Sequence, residues 1–222
     1  MPSPTVQEQT RPSPLPRIAA AGFCTVVASI GLFLSLDAHA IVVTGSRLES
    51  TISAYGLGSG RWIFTIAVLL LAAGSAALLV ALVGRRLARW RSGAALAMAL
   101  WIVGLVVLAI FPKQDWSQPE SLSGSIHRAA SALAFVSLPA AAVLLARPWL
   151  RHRSHAVHAR RTLASGALAV ASLTPLFYAI GVAIATEAKW WNVIALGHSE
   201  RVLALSEVAI LVVIGAWALA RT

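Results

Sequence analysis

Trp62-Ile-Phe-Thr-Ile-Ala-Val-Leu-Leu-Leu-Ala-Ala-Gly-Ser-Ala-Ala-Leu-Leu-Val-Ala-Leu-Val83 contains no charged residue and is bounded by Arg61 on one side and Arg85 and Arg86 on the other. A helix that crosses a bilayer needs roughly 20 apolar residues, so this run is long enough to span as one helix. In hydrocarbon every backbone polar group must bond within its own segment, and the run lacks the alternation of a barrel strand. Runs of the same kind give six spans, at about 18–36, 62–83, 94–111, 129–146, 163–185 and 202–220. The expected fold class is all-α, a polytopic membrane bundle of six transmembrane helices. Composition agrees, because the 222 residues are 58% hydrophobic and 12% charged with a mean hydropathy of +0.78. Soluble domains are about 25% charged. A water-soluble globule is excluded, and six spans leave no room for a separate catalytic domain.

The charge surplus is unevenly placed. The chain carries 18 Lys+Arg against 8 Asp+Glu, a net +10. Arg11, Arg17, Arg85, Arg86, Arg89, Arg91, Arg147, Arg151, Arg153, Arg160, Arg161 and Arg221 all fall on one side of the six spans, with only Glu8 among them. The positive-inside rule makes that side cytoplasmic, with both termini; sixteen Arg against two Lys, with heavy Ala usage, suggest a high-GC bacterium and hence a bacterial plasma membrane. On the other side Arg47, Arg61, Lys113, Arg128, Lys189 and Arg201 balance Asp37, Glu49, Asp115, Glu120, Glu187 and Glu200. The surplus is therefore topogenic, and nucleic acid is not an expected partner. Arg147, Arg151, Arg153, Arg160 and Arg161 form a basic loop suited to anionic lipid. His152, His155 and His158 lie within it, without a Cys or acid to make a metal tract.

Residues 1–17, with Pro2, Pro4, Pro12, Pro14 and Pro16, read as a disordered cytoplasmic tail before a transmembrane domain at 18–220. Ala38-His39-Ala40 has the small-x-small pattern of a signal-peptidase site, but a 19-residue apolar run exceeds the roughly 7–15 residues of a signal sequence. An uncleaved first span is expected. Cys24 reads as a packing residue, Gly74 and Ser75 as small residues that allow close helix contact, and Pro139 and Pro175 as kinks.

Polar residues with chemistry collect at the outer helix ends: Asp37 and His39, Asp115 and His127, then His198, Glu200 and Arg201. Glu207 lies two turns beyond Glu200, about 10 Å deeper on nearly the same face, where it would form a pocket floor. Two readings of it stand, a helix-locking group paired with Arg201 or Arg128, and a proton or ligand site. His39, His127 and His198 supply donor types that zinc uses, yet no HExxH-like pair connects them. Haem would need histidines within paired spans, and none lies mid-span. No cofactor is expected, with zinc and haem the two that the residue types admit.

Thr51-Ile-Ser-Ala-Tyr55-Gly, Gly60-Arg-Trp62, Phe111-Pro112-Lys-Gln-Asp115, Gly124-Ser-Ile-His127 and Gly197-His-Ser-Glu200-Arg201 occur in an order that resembles the bacterial membrane family called domain of unknown function 998, over about residues 20–220. Ala54 stands where that family usually has an acid, and two residues rather than one separate Pro112 from Asp115. The resemblance implies six helices and places Asp115, His127, Glu200 and Arg201 in family motifs. It implies no activity. Two functions fit the outer residues. One is a carrier or accessory protein that binds a lipid or small molecule in an outward-facing pocket. The other is an intramembrane enzyme on a lipid or polyprenyl substrate at the extracytoplasmic leaflet, with His127 as acid/base and Asp115 or Glu200 orienting it. Membrane lipid is the expected partner in both, and the oligomeric state stays open.

Overall fold

A computed structural model describes residues 14–46, 48, 50–186 and 189–220. Most of the Pro-rich tail, together with Arg47, Glu49, Glu187 and Arg221, lies outside the described residues. The described chain folds into seven helices and no strand: α1 (Leu15–Thr44), α2 (Arg61–Gly84), α3 (Gly93–Ile110), α4 (Leu122–Ala146), α5 (Ala156–Ser172), α6 (Thr174–Thr186) and α7 (Leu196–Leu219). Six segments are long and apolar enough to cross a membrane, with α5 and α6 together forming the fifth. The chain is a multi-pass membrane protein.

Boundaries differ from the sequence reading where local chemistry overrides hydropathy. α1 starts at Leu15, inside the stretch read as tail, with Pro16 in its first turn where a missing N–H costs nothing. It continues through Ala38-His39-Ala40 to Thr44, and Gly45, in the left-handed region at φ 64°, ends it by donating its N–H to the Ala40 carbonyl. The fifth span is two helices rather than one kinked helix, because Pro175 lacks the N–H that would continue α5, and Leu176 bonds the Leu173 carbonyl instead. Pro139, by contrast, is absorbed within α4.

α1 packs along α2 and α3 along α4. α2–α3, α4–α5, α5–α7 and α7–α1 contacts close the ring, and α7 also touches α2 and α4. The α1–α2 seam is a backbone contact. A Cβ on Gly22 would lie 3.0 Å from the Gly74 carbonyl oxygen, and one on Gly74 would lie 2.8 Å from that of Gly22. Ser75 accepts a 3.0 Å hydrogen bond from the indole N–H of buried Trp101, joining α2 to α3. Cys24 is exposed on α1 and does not pack in the core. α6 splays away, with Phe177, Tyr178 and Ile184 all more than half exposed.

At the arginine-rich end, Arg85 donates to the carbonyls of Ala218 and Ala220 and so caps the C-terminus of α7. Trp217 donates to His155 Nδ1 at 3.2 Å, and Trp149 to the Leu87 carbonyl at 3.0 Å. His152 and His155 pack on Trp149 and His158 on Trp217, so this run is an aromatic cluster. Burial, then the neighbouring His152, His158 and Arg85 charges, hold His155 below the usual histidine range. Arg147, Arg151, Arg153, Arg160 and Arg161 are all exposed around it.

Candidate functional site

Two long loops shape the opposite end. Phe111 takes an extended conformation because Pro112 follows it, which ends α3. Pro112 cannot donate to the Leu108 carbonyl, so the C-terminus of α3 is left with acceptors that need partners. His127, 6% exposed on α4, meets them: its Nδ1 lies 2.8 Å from the Phe111 carbonyl oxygen, with the Leu108 carbonyl also in reach. A carbonyl only accepts, so Nδ1 carries the proton. Gln114, 5% exposed, organises the rest of the loop. Its amide donates to the carbonyls of Asp115 and Pro119, and its Oε1 accepts from the Ser121 N–H and hydroxyl at 2.8 and 2.9 Å. A Cβ on Gly124 would stand 2.6 Å from that Oε1, which is why glycine stands three residues before His127.

The loop between α1 and α2 is held from α7. Arg201 donates to Asp37 through Nε at 3.1 Å and Nη2 at 2.8 Å. Its Nη1 donates to the carbonyls of Leu48, Ser50 and Gly197 at 3.1, 2.8 and 3.0 Å. Leu48 is a non-glycine in the left-handed region, φ 56°, and the bond to its carbonyl helps hold it there. Glu200, one residue earlier, accepts the Ile52 N–H at 2.7 Å and further bonds from Ser53. Arg201 is thereby committed to the protein, and neither Glu207 nor a ligand anion takes its donors.

Tyr55 completes this cluster by donating to Asp37 at 2.7 Å. Burial, together with that bond to a carboxylate, pushes its phenol up from 10.0 to about 12. Because the folded value is the higher one, the stabilisation is whole below pH about 10 and is lost as pH rises through about 12. Stability measured from pH 9 to 12 is expected to fall more steeply in the wild type than in Tyr55→Phe. Parallel curves would contradict it.

Two cavities meet beneath these loops. The inner one, about 190 Å³, is walled by Phe33, Val68, Trp101, Leu105 and Phe135, with Glu207 on its lining. The outer one, about 310 Å³, is walled by Ala132, Phe135, Leu176, Ile180 and Leu203 and carries Lys113 and Arg128. Ser53, His127, Ser131, Phe135 and Glu200 line both. Lys113 donates to the Thr51 hydroxyl, and burial pulls its ammonium below the usual lysine range against the opposing pull of Glu200. Arg128 lies 6.0 Å over the ring of Trp116, which stacks on Trp191 at 4.4 Å.

Of the residues expected at one pocket, His127, Glu200, Glu207, Asp37 and Arg201 come together on the inner chamber. Asp115 does not. It is exposed, and Ser117 donates to its Oδ1 through N–H and hydroxyl at 2.9 and 2.7 Å, which holds its carboxyl below the usual value. His39 and His198 are exposed and line neither cavity, so they do not join His127, and no metal-holding group of three or more His, Cys, Asp or Glu occurs among the described residues. Lys113, Thr51 and Ser53 enter the site although sequence reasoning used them only as a loop charge or as letters of a motif, and Arg128, offered there as a partner for Glu207, lines the outer cavity while Glu207 lines the inner one. The available signal was their spacing: Lys113 directly follows the helix-ending Pro112, and Arg128 directly follows His127.

No curated protein and no solved structure matches this chain. One family model does, described as "Protein of unknown function (DUF998)", over residues 19–221. That match runs from the first membrane helix past the last, and the chain belongs to this family.

Proposed function

We propose that the protein binds a single amphiphile with an acidic head, taken from the bilayer, and serves as a carrier or accessory protein for it. The observation that carries this reading is the outer cavity, whose apolar wall of Phe135, Leu176, Ile180 and Leu203 ends at Lys113 and Arg128. Ligand sites are concave and mostly apolar, with few polar groups fixing orientation. A lipid tail lies along the wall. Its phosphate or carboxylate meets the two cations, where charge-assisted bonds are strongest. α6, which supplies Leu176 and Ile180 to the wall and has few contacts with the rest of the bundle, is the element that would move to admit the tail.

The arginine count supports an orientation in which the cavity end is extracytoplasmic and both termini are cytoplasmic, and the preference for Arg over Lys fits a bacterial plasma membrane. The exposed Arg147, Arg151, Arg153, Arg160 and Arg161 then rest against anionic headgroups of the inner leaflet. The enzyme reading rests on His127 and Glu200 sharing the wall between the chambers. Binding accounts for more, since Nδ1 of His127 is used to hold the end of α3 and Asp115 does not reach the cavity.

Lys113→Ala and Arg128→Ala are each expected to weaken binding of an anionic lysophospholipid to the protein in nanodiscs by about tenfold. Binding of an uncharged monoacylglycerol is expected to stay unchanged. Equal affinity of wild type and both variants for the anionic lipid contradicts the reading, and turnover of the bound lipid would favour the enzyme.

A further inference from the structure

Glu207 is 1% exposed on α7, and both of its carboxyl oxygens are buried without a hydrogen-bond partner among the described residues. It faces a chamber whose wall is otherwise largely apolar. A carboxyl in such a place costs free energy unless a donor or cation meets it, and intramembrane acids mark function by default. The described residues offer neither. Arg201, the one guanidinium lining the chamber among the described residues, donates to Asp37, Leu48, Ser50 and Gly197. Trp101, also on the wall, gives its N–H to Ser75.

The sign of the chamber narrows what can fill it. Asp37 and Arg201 neutralise each other, Glu200 has the Lys113 ammonium as its counter-charge, and Glu207, two turns further along α7, is left without one among the described residues. The outer chamber has the opposite balance, with Lys113 and Arg128 against Glu200. The inner chamber also has its own edge on the lipid, since Leu34 of α1 and Leu205 of α7 line it and are 58% and 63% exposed.

We propose that the inner chamber binds a hydrophobic amine, whose ammonium donates to Glu207 while its apolar body packs on Phe33, Val68 and Trp101. The inference rests on reading the outer cavity as an amphiphile site and adds a second ligand class, of opposite charge, in the inner chamber beside it. The amine enters between α1 and α7, away from the cations of the outer chamber that would repel it.

The test compares octylamine, octanol and octanoate on the full chain in lipid nanodiscs, by saturation binding. The wild type is expected to bind octylamine at least about tenfold more tightly than octanol, and Glu207→Gln, which keeps the shape, is expected to erase that preference. Equal affinity of the wild type for amine and alcohol overturns the proposal, and so does a preference that survives in Glu207→Gln. The wild-type comparison needs no variant, so it decides even if Glu207→Gln does not fold. Anionic lysophospholipid binding in the same samples separates the two readings. If it persists without an amine preference, only this inference falls; if the wild type binds neither ligand, the amphiphile site falls with it.

Discussion

Arg201→Leu is expected to destabilise the folded protein by about 2–3 kcal/mol, read as a lowered midpoint of thermal unfolding in detergent. Removing one partner of a fully buried ion pair costs about 3–5 kcal/mol because the other charge is left uncompensated. Here the side chains are 11% and 22% exposed, so solvent screens part of that penalty. The loss does not end with Asp37. The carbonyls of Leu48, Ser50 and Gly197 lose their donor together, and the left-handed Leu48 loses a bond that holds it in place. Arg201→Lys should recover only part of the stability, since an ammonium cannot reproduce the two-pronged contact with Asp37. A change below about 0.5 kcal/mol in Arg201→Leu, the range of an ordinary surface substitution, would show that this cluster does not hold the loop.

Gly74→Leu is expected to cost about 3 kcal/mol or more and to reduce the amount of folded protein recovered. Overpacking costs about 1–3 kcal/mol where side chains can shift, and here the nearest atoms include backbone. Any Cβ at position 74 falls 2.8 Å from the Gly22 carbonyl oxygen and 3.0 Å from the Val26 nitrogen, so α1 must move as a unit. Between helices in lipid, close backbone approach is itself a main source of association. Gly31→Leu is the control, because nothing stands within 4 Å of a Cβ there. Equal stability of the two variants would mean that α1 and α2 are not held at this seam.

What could be read from the sequence follows from which constraints are local. The six spans were legible because the bilayer sets a length that each segment must meet by itself, as Trp62–Val83 does. Asp37, His127, Glu200 and Arg201 could be singled out as polar residues at outer helix ends. Their partners could not, since Arg201 and Asp37 lie 164 residues apart and only packing brings them together. Asp115 looked equivalent to Asp37, but its carboxyl closes a turn on Ser117 two residues away. The division of the fifth span was written in Pro175, whose missing N–H stops a helix that hydropathy alone continues. His127 had a similar local cue, the acceptors that Pro112 leaves at the end of α3. Lys113 was hidden by being counted as topological charge, although its burial gives it a second role.

The motif residues act mainly as braces: Gln114, Gly124 and His127 hold one loop, Glu200 and Arg201 the other, and between them they frame the two cavities. That the outer cavity is where an acidic amphiphile binds is tested most directly by photo-crosslinking a diazirine-bearing anionic lysophospholipid to the protein in nanodiscs and mapping the adducts. Adducts on Ala132, Phe135, Leu176 and Leu203, lost in Lys113→Ala, are the predicted result. Adducts confined to the outward-facing Val136, Leu168 and Val202, each more than half exposed, would contradict it.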